Sequence, residues 1–479
     1  MTPGVNPCGV RRRSMSRERP SVLFLFADQL RGRDLGCMGN PVVRTPWIDQ
    51  LAHEGVLARR CYANSPVCTP NRGTLLTGLF PHVHGAVAND VPMAADVPSI
   101  GRVMRSAGYR TGYVGKWHLD GVPRTKFTPP GNRRHGFDYW AAYNCAHDYF
   151  RPTYYRDSAE PILAGGYEPV VQTDLAVDFL GSVADDEAFV LFVSWGPPHD
   201  PYDQVPDEYR QRYDPRELTL APNARTAIDN PLARDLDPHE TLRSYYAAVS
   251  AIDDQVGRLL VELDRRGRRQ DTIVVFTSDH GDMLWAHGMM KKQLPYEEAI
   301  HVSLVVRWPE QLPPHVHEAP CSTVDLVPTL LDMTGLSAPS RAHGTSLLPQ
   351  LRGERGEDRP VLIMNQCRFD EALVQGVPEW RGLRTVRWTY AETLGREPWL
   401  LFDNDSDPWQ LENLAGNPAY RDVQDALASE LGTRLDAVAD PFADTLHMVE
   451  YCHATEAWDA REAYMAANEE EQRRLGVLD

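Results

Sequence analysis

The stretch Ser21-Val22-Leu23-Phe24-Leu25-Phe26-Ala27, followed at once by Asp28 and Gln29, reads as a buried parallel strand that ends in polar groups. The same pattern recurs three times. Tyr109 to Val114 runs into Gly115-Lys116-Trp117-His118, Phe189 to Trp195 into Gly196-Pro197-Pro198-His199, and Thr272 to Ser278 into Asp279-His280-Gly281-Asp282. Helical periodicity lies between them. It is clearest from Leu242 to Leu263, where Tyr245, Val249, Ile252, Val256 and Leu259 share a face and Gly267 can close the helix. Strands alternating with helices predict a mostly parallel sheet covered on both faces. Ligands of such sheets bind beyond the carboxyl ends of the strands, so the polar residues after four strands would project toward one edge. Singly, each has a plain reading as a helix cap or turn former; together they predict an active site.

Composition sets the surroundings of that edge. The 479 residues carry 49 Lys and Arg against 67 Asp and Glu, a net charge of -18, so no chain-wide basic footprint for nucleic acid or an anionic membrane exists. An anionic substrate would need a local cluster of cations. Hydrophobic residues at 42% and charged residues at 24% are ordinary values for a globular protein. The eight cysteines are scattered without a CxxC pair, which predicts neither a disulfide framework nor a zinc site. The first twenty residues hold five arginines and no apolar leader, and Val22 to Ala27 is too short to span a bilayer. These features predict a cytoplasmic location. The expected organisation is a disordered extension over 1–20, a large α/β domain over 21–375, and a small α+β domain over 376–479. In the last of these, Leu383 to Ala391 and Trp399 to Phe402 read as a hairpin and Tyr420 to Leu435 as a helix.

Pro66-Val67-Cys68-Thr69-Pro70-Asn71-Arg72-Gly73-Thr74-Leu75-Leu76-Thr77-Gly78 is the richest stretch in chemistry. Thr69 suits an N-cap and Pro70 the first helical position, which sets Cys68 at a helix N-terminus, where free N–H groups favour an anion. Arg72 follows one turn later and can point back to the same ligand. A cysteine so placed is reactive by environment, although a small buried thiol is the commoner fate of a cysteine.

Cys68-Thr69-Pro70-Asn71-Arg72 with Leu75-Leu76-Thr77-Gly78 resembles the signature of the formylglycine-dependent sulfatases, and Gly108 to His118 resembles their second signature. The likeness continues through Arg44 to Asp49, Pro197-Pro198-His199, Thr277 to Asp282, Lys292 with Tyr296-Glu297-Glu298, and Leu401-Phe402-Asp403. It implies an alkaline-phosphatase-like α/β fold with a small C-terminal domain built on an antiparallel sheet. It also implies that a maturation enzyme oxidises Cys68 to formylglycine (3-oxoalanine). Asp28, Gln29, Asp279, His280 and the oxygen at position 68 would hold one divalent cation, calcium by family, with manganese or magnesium as alternatives. Arg72, Lys116 and His118 would supply the cationic cradle. In the implied mechanism Asp279 helps deprotonate a hydroxyl of hydrated formylglycine, which attacks sulfur. His199 and Lys292 protonate the departing oxygen, and His118 removes the second hydroxyl's proton. The expected reaction is hydrolysis of a carbohydrate or aryl sulfate monoester.

Two departures bear on this reading. The Asp28-Gln29 and Asp279-His280 pairs look like the branch that contains choline sulfatases, some carbohydrate sulfatases and phosphonate monoester hydrolases, so phosphonate monoester or phosphodiester hydrolysis is the rival activity. Where the family often has Arg-Val-Pro after the glutamate pair, this chain has His301-Val302-Ser303, to which no function attaches. A third possibility is a binding protein whose Cys68 stays unmodified.

Overall fold

The structure, a computed structural model, describes residues 19–474, so most of the expected extension over 1–20 lies outside the described residues. Strand β1 (Ser21–Asp28) is buried throughout, as an unbroken apolar run requires. Its side chains alternate between two cores. Leu23, Leu25 and Ala27 enter one with helix α3 (Glu168–Ser182) and the long α4 (Pro238–Arg265). Val22, Phe24 and Phe26 enter the other with α2 (Cys68–Thr77) and α5 (Leu326–Met333). The earlier α1 (Pro46–Glu54) joins the first core through Ile48 and Leu51.

The central sheet holds nine strands. Besides β1 they are β2 (Val56–Tyr62), β3 (Arg110–Lys116), β4 (Tyr139–Tyr143), β5 (Phe189–Pro198), β6 (Thr272–Ser278), β7 (His301–Arg307), β8 (His315–His317) and β9 (Cys321–Ser322). Their order is 8-2-7-6-1-5-3-4, with β9 also paired to β2. Neighbours are parallel except on either side of β7, which runs against both β2 and β6. The carboxyl ends of β1, β3, β5 and β6 therefore share one edge, as the alternating pattern predicts.

A four-stranded antiparallel sheet follows, β10 (Val361–Asn365), β11 (Trp380–Arg384), β12 (Trp388–Thr393) and β13 (Glu397–Asp403). The division expected after residue 375 falls between β10 and β11; hydrogen bonding carries this small layer back to Val361. The stretch Leu383 to Ala391, expected as one strand, is broken by a turn in which Thr385 and Trp388 exchange backbone and hydroxyl hydrogen bonds. Helix α6 (Arg421–Ala437) covers this sheet with Leu427, Leu431 and Leu435, and α7 (Thr455–Arg474) ends the described chain. Among the described residues no helix is long and apolar enough to cross a membrane.

Candidate active site

Most candidate residues sit where a strand or helix begins or ends; Arg72 lies within α2 and Lys292 in the loop before Glu297. Asp28 closes β1, and Gln29 turns the chain with a φ of +68°. Two devices hold that turn. Ser278 Oγ donates to the Ala27 carbonyl (3.0 Å) and accepts from Leu30 N (3.0 Å). Tyr245 of α4 donates to the Gln29 carbonyl (2.7 Å) and accepts from Arg31 N (2.9 Å). Left-handed backbone recurs at His118, Lys291 and Gln293, so strained positions gather at this edge.

Cys68 opens α2. The helix starts two residues earlier than Thr69 as N-cap would have it, with Val67 as N-cap and Asn71 N donating to Val67 O (3.1 Å). Thr69 is diverted because its hydroxyl donates to the His118 carbonyl (2.8 Å), tying α2 to the loop after β3. Cys68 Sγ then lies 3.2 Å from His280 Nε2, 3.6 Å from Asp28 Oδ1 and 3.2 Å from Lys292 Nζ. Burial opposes ionisation of the thiol, but Lys292, Lys116 and His280 hold it well below its ordinary value. The position is built to carry negative charge.

Arg72 is buried and fully engaged. It reaches Asp28 Oδ2 (3.0 Å), Asp279 Oδ2 (2.9 Å), the Lys116 carbonyl (2.8 Å) and Ser194 Oγ (2.7 Å). It therefore braces the two carboxylates from behind α2. Lys116 Nζ also meets Asp28 Oδ2, at 2.5 Å. Burial favours the neutral acid at Asp28 and the adjoining thiol adds to that, yet Lys116, His199 and Arg72 hold its carboxyl below the usual range. Asp279 is pushed up, first by burial and then by Asp28.

Asp28, Cys68, Asp279 and His280 bring four donor atoms within 4.8 Å of one another, all from buried residues. Two facing carboxylates plus an imidazole fit a divalent cation, which would relieve the repulsion that raises Asp279. Gln29 is near this set but otherwise occupied: its Oε1 accepts from Lys292 Nζ (2.8 Å) and its Nε2 donates to Asp282 Oδ2 (2.7 Å).

On the opposite side of Cys68, Lys292 Nζ lies 2.8 Å from His199 Nε2. His199 Nδ1 donates to the Asp200 carbonyl (2.8 Å), which fixes the tautomer whose Nε2 accepts the lysine proton. Lys292 is held above its ordinary value: burial opposes the charge, and Cys68, Glu371 and Asp28 outweigh it. His118 Nε2 meets Asp90 Oδ1 at 3.1 Å. Burial again opposes the charge, but the Cys145 thiol and Asp90 push its imidazole up to about 10, so this arrangement favours its hydrogen-bond-donor form.

Several further residues support the site. Asp90, also bound by Arg124 (2.7 Å), holds His118. His147 stacks on His199 with ring centroids 4.6 Å apart. Asn71 donates to the Asp279 carbonyl and accepts from Thr323 Oγ1 (2.7 Å). Asn71 and Asp282 carried a local signal, inside the Cys68 to Arg72 and Asp279 to Asp282 runs; Asp90 carried none. Tyr143 and Tyr149 are buried, and Tyr149 donates to the His199 carbonyl (2.9 Å).

The family model described as Sulfatase matches residues 20–336, and that described as N-sulphoglucosamine sulphohydrolase, C-terminal, matches residues 286–436. An ulvan-active sulfatase of Formosa agariphila is 36% identical over 433 residues, covering 88% of this chain and 82% of that protein. An endo-4-O-sulfatase of Bacteroides thetaiotaomicron is 30% identical over 484 residues, covering 89% and 93%. The crystal structure of a phosphonate monoester hydrolase of Agrobacterium radiobacter is similar with a TM-score of 0.73 at 26% identity, covering 88% and 96%.

Proposed function

From the premise that this chain belongs to the sulfatase family and has the alkaline-phosphatase-like fold, we propose how its residues divide the work of sulfate-ester hydrolysis, and that the ester is carried by a carbohydrate. The protein is a sulfatase. The observation that carries the residue assignment is the two-sided setting of position 68, with Asp28, Asp279 and His280 on one flank and the Lys292–His199 pair on the other.

Asp28, Asp279 and His280, with the side-chain oxygen of a matured residue 68, would hold a divalent cation that polarises the sulfate. Calcium is the proposed ion. A maturation enzyme would convert Cys68 to formylglycine, whose hydrate supplies the nucleophilic hydroxyl and a second hydroxyl for collapse of the sulfated residue. The chain's own groups do the rest. Lys116 and His118 offer positive charge and N–H donors to sulfate oxygens, while Arg72 keeps both carboxylates ionised and aligned. Asp279, beside residue 68, accepts the proton of the attacking hydroxyl. His199 and Lys292, hydrogen-bonded to each other, form the acid side that protonates the departing alkoxide as its bond to sulfur breaks. Asp90 anchors His118, the group assigned to take the second hydroxyl's proton.

The carbohydrate reading is supported by the sulfatases of Formosa agariphila and Bacteroides thetaiotaomicron that the chain resembles over most of its length. The test is mass spectrometry of the peptide spanning Cys68 from protein made with a maturation enzyme, followed by turnover of sugar sulfates, nitrophenyl sulfate and phenyl phosphonate. An aldehyde at position 68, sugar sulfates as the faster substrates and no turnover by Cys68→Ala are expected. An intact thiol in active protein would remove the formylglycine step. Faster cleavage of the phosphonate would favour the rival activity, for which the likeness to the Agrobacterium radiobacter enzyme speaks.

A further inference from the structure

Glu168 is a buried acid with no part in the chemistry described above. It is the first residue of α3 and is 1% exposed. An acid so deeply buried ordinarily has a cationic partner. No basic side chain among the described residues forms an ion pair with it. Its Oε1 instead accepts from Tyr143 Oη (2.9 Å) and from Gly196 N (3.0 Å), at the ends of β4 and β5.

The bond from Gly196 answers a need of the backbone. Ala27 of β1 pairs with Trp195 of β5, but the next residue, Asp28, pairs with Pro198. Gly196 and Pro197 are therefore an insertion in β5, and an insertion of this kind leaves ladder groups unpaired. Pro197 has no N–H, and the N–H of Gly196 goes to Glu168. This bulge leads directly into Pro198 and His199, so the acid anchors the start of the turn that carries His199.

The same residue holds the far side of that turn. Glu168 N donates to the Tyr149 carbonyl (2.7 Å), and Tyr149 Oη donates to the His199 carbonyl (2.9 Å), the nearest of three carbonyl oxygens around it. Tyr143, which donates to the carboxylate, is the register partner of Lys116, and its carbonyl accepts from Trp117 N (2.8 Å). Glu168 thus ties the exit of β5 to the exit of β4.

We infer that Glu168 is a positioning residue for the acid side of the reaction: it holds the Gly196–Pro197 bulge and Tyr149 so that His199 Nε2 faces Lys292 and residue 68. The inference rests on the proposed acid role of His199. Glu168 works through its hydrogen-bonded partners and not by contact with the substrate. Burial pushes its carboxyl up to about 7, against the hydrogen bonds from Tyr143 and Gly196 and the charge of Lys116. Both side-chain hydrogen bonds arrive at one oxygen, so an amide of the same shape accepts them equally. The role is therefore one of acceptor geometry and not of charge.

Matured enzyme carrying Glu168→Ala, Glu168→Gln or Tyr149→Phe, compared with His199→Gln, tests this on a sugar sulfate and on 4-nitrophenyl sulfate. Glu168→Ala and Tyr149→Phe are expected to lower kcat on the sugar sulfate at least about tenfold with KM little changed, while the loss on 4-nitrophenyl sulfate stays within about threefold. Glu168→Gln, which keeps the acceptor, should restore both rates. In protein made with isotope-labelled histidine, the His199 ring signal, identified by its absence in His199→Gln, should move in Glu168→Ala and return in Glu168→Gln. Equal losses on both esters in a variant that circular dichroism and the melting temperature show to be folded overturn the inference, because a general structural defect has no leaving-group preference. A Glu168→Gln variant as slow as Glu168→Ala overturns it as well, since charge would then be the requirement. If Glu168→Ala does not fold, selective or equal loss in Tyr149→Phe decides in the same way. If His199→Gln itself shows no preference between the esters, the acid reading falls, and the His199 signal alone judges whether Glu168 positions the ring.

Discussion

At the level of single side chains, the acid pair gives the sharpest test. Lys292 Nζ and His199 Nε2 are 2.8 Å apart and both face Cys68 across the site. If they protonate the leaving oxygen, His199→Gln and Lys292→Ala should each lower kcat on an alkyl or sugar sulfate by about 10²–10⁴. The loss on 4-nitrophenyl sulfate should be far smaller, because that leaving group departs without a proton. Equal losses on both substrates would make the pair a structural feature. Cys68, Lys292 and His199 were legible because each stands in a dense local motif. Asp90 was not, and His147 stood out only weakly, as one of several loop residues that could line the pocket. Their importance lies in touching His118 and His199 across 28 and 52 residues of chain.

At the level of elements, two close approaches fix the framework. Gly115, in β3 just before Lys116, has a φ of +101°, and a Cβ there would lie 2.0 Å from the Ser194 carbonyl of β5. Gly115→Ala should cost about 3 kcal/mol or more, read from urea unfolding, and displace Lys116 with loss of turnover. Wild-type stability in that variant would show that the strands can part freely. The second approach sets the His84 ring against Gly73 of α2, where a Cβ would lie 2.4 Å from the ring. His84 Nε2 donates to the Pro70 carbonyl (3.0 Å) and Nδ1 accepts from Ala86 N (3.2 Å), so the ring is held neutral. Burial lowers its pKa to about 3, below the unfolded value. Its contribution to stability is therefore complete above pH 6.5 and is lost as pH falls toward 3, with a slope of up to about 1.4 kcal/mol per unit. His84→Gln should flatten that part of the pH profile of the urea midpoint; an unchanged profile would exclude His84 as its source. Periodicity made β1 and β6 readable nearly to the residue and found the body of α4, whose polar first turn from Pro238 lies before the periodic run that starts at Leu242. It misread Leu383 to Ala391, where two short strands and their turn are alike in composition and only the hydrogen bonds of Thr385 separate them.

At the level of the whole molecule, a divalent cation would join the ends of β1 and β6 to α2, because Asp28, Asp279, His280 and residue 68 come from all three. Chelation should lower both the melting temperature and turnover, and adding back calcium, magnesium or manganese should restore them in an order that identifies the ion. An ion at 100 times its Kd contributes about 2.7 kcal/mol. If a chelator changes neither quantity, the four residues hold no exchangeable ion. By itself the sequence determined the alternating α/β plan, the shared edge, and the residues at positions 28, 68, 116, 199, 279 and 292, since strand burial and motif spacing are local properties of the chain. Only the tertiary structure decided that Arg72 faces Asp28 and Asp279, that β7 runs against its neighbours, and that His118 is held by Asp90. Those facts depend on which distant segments pack together, and packing is set by the shape of the assembled core and not by the period of any one stretch.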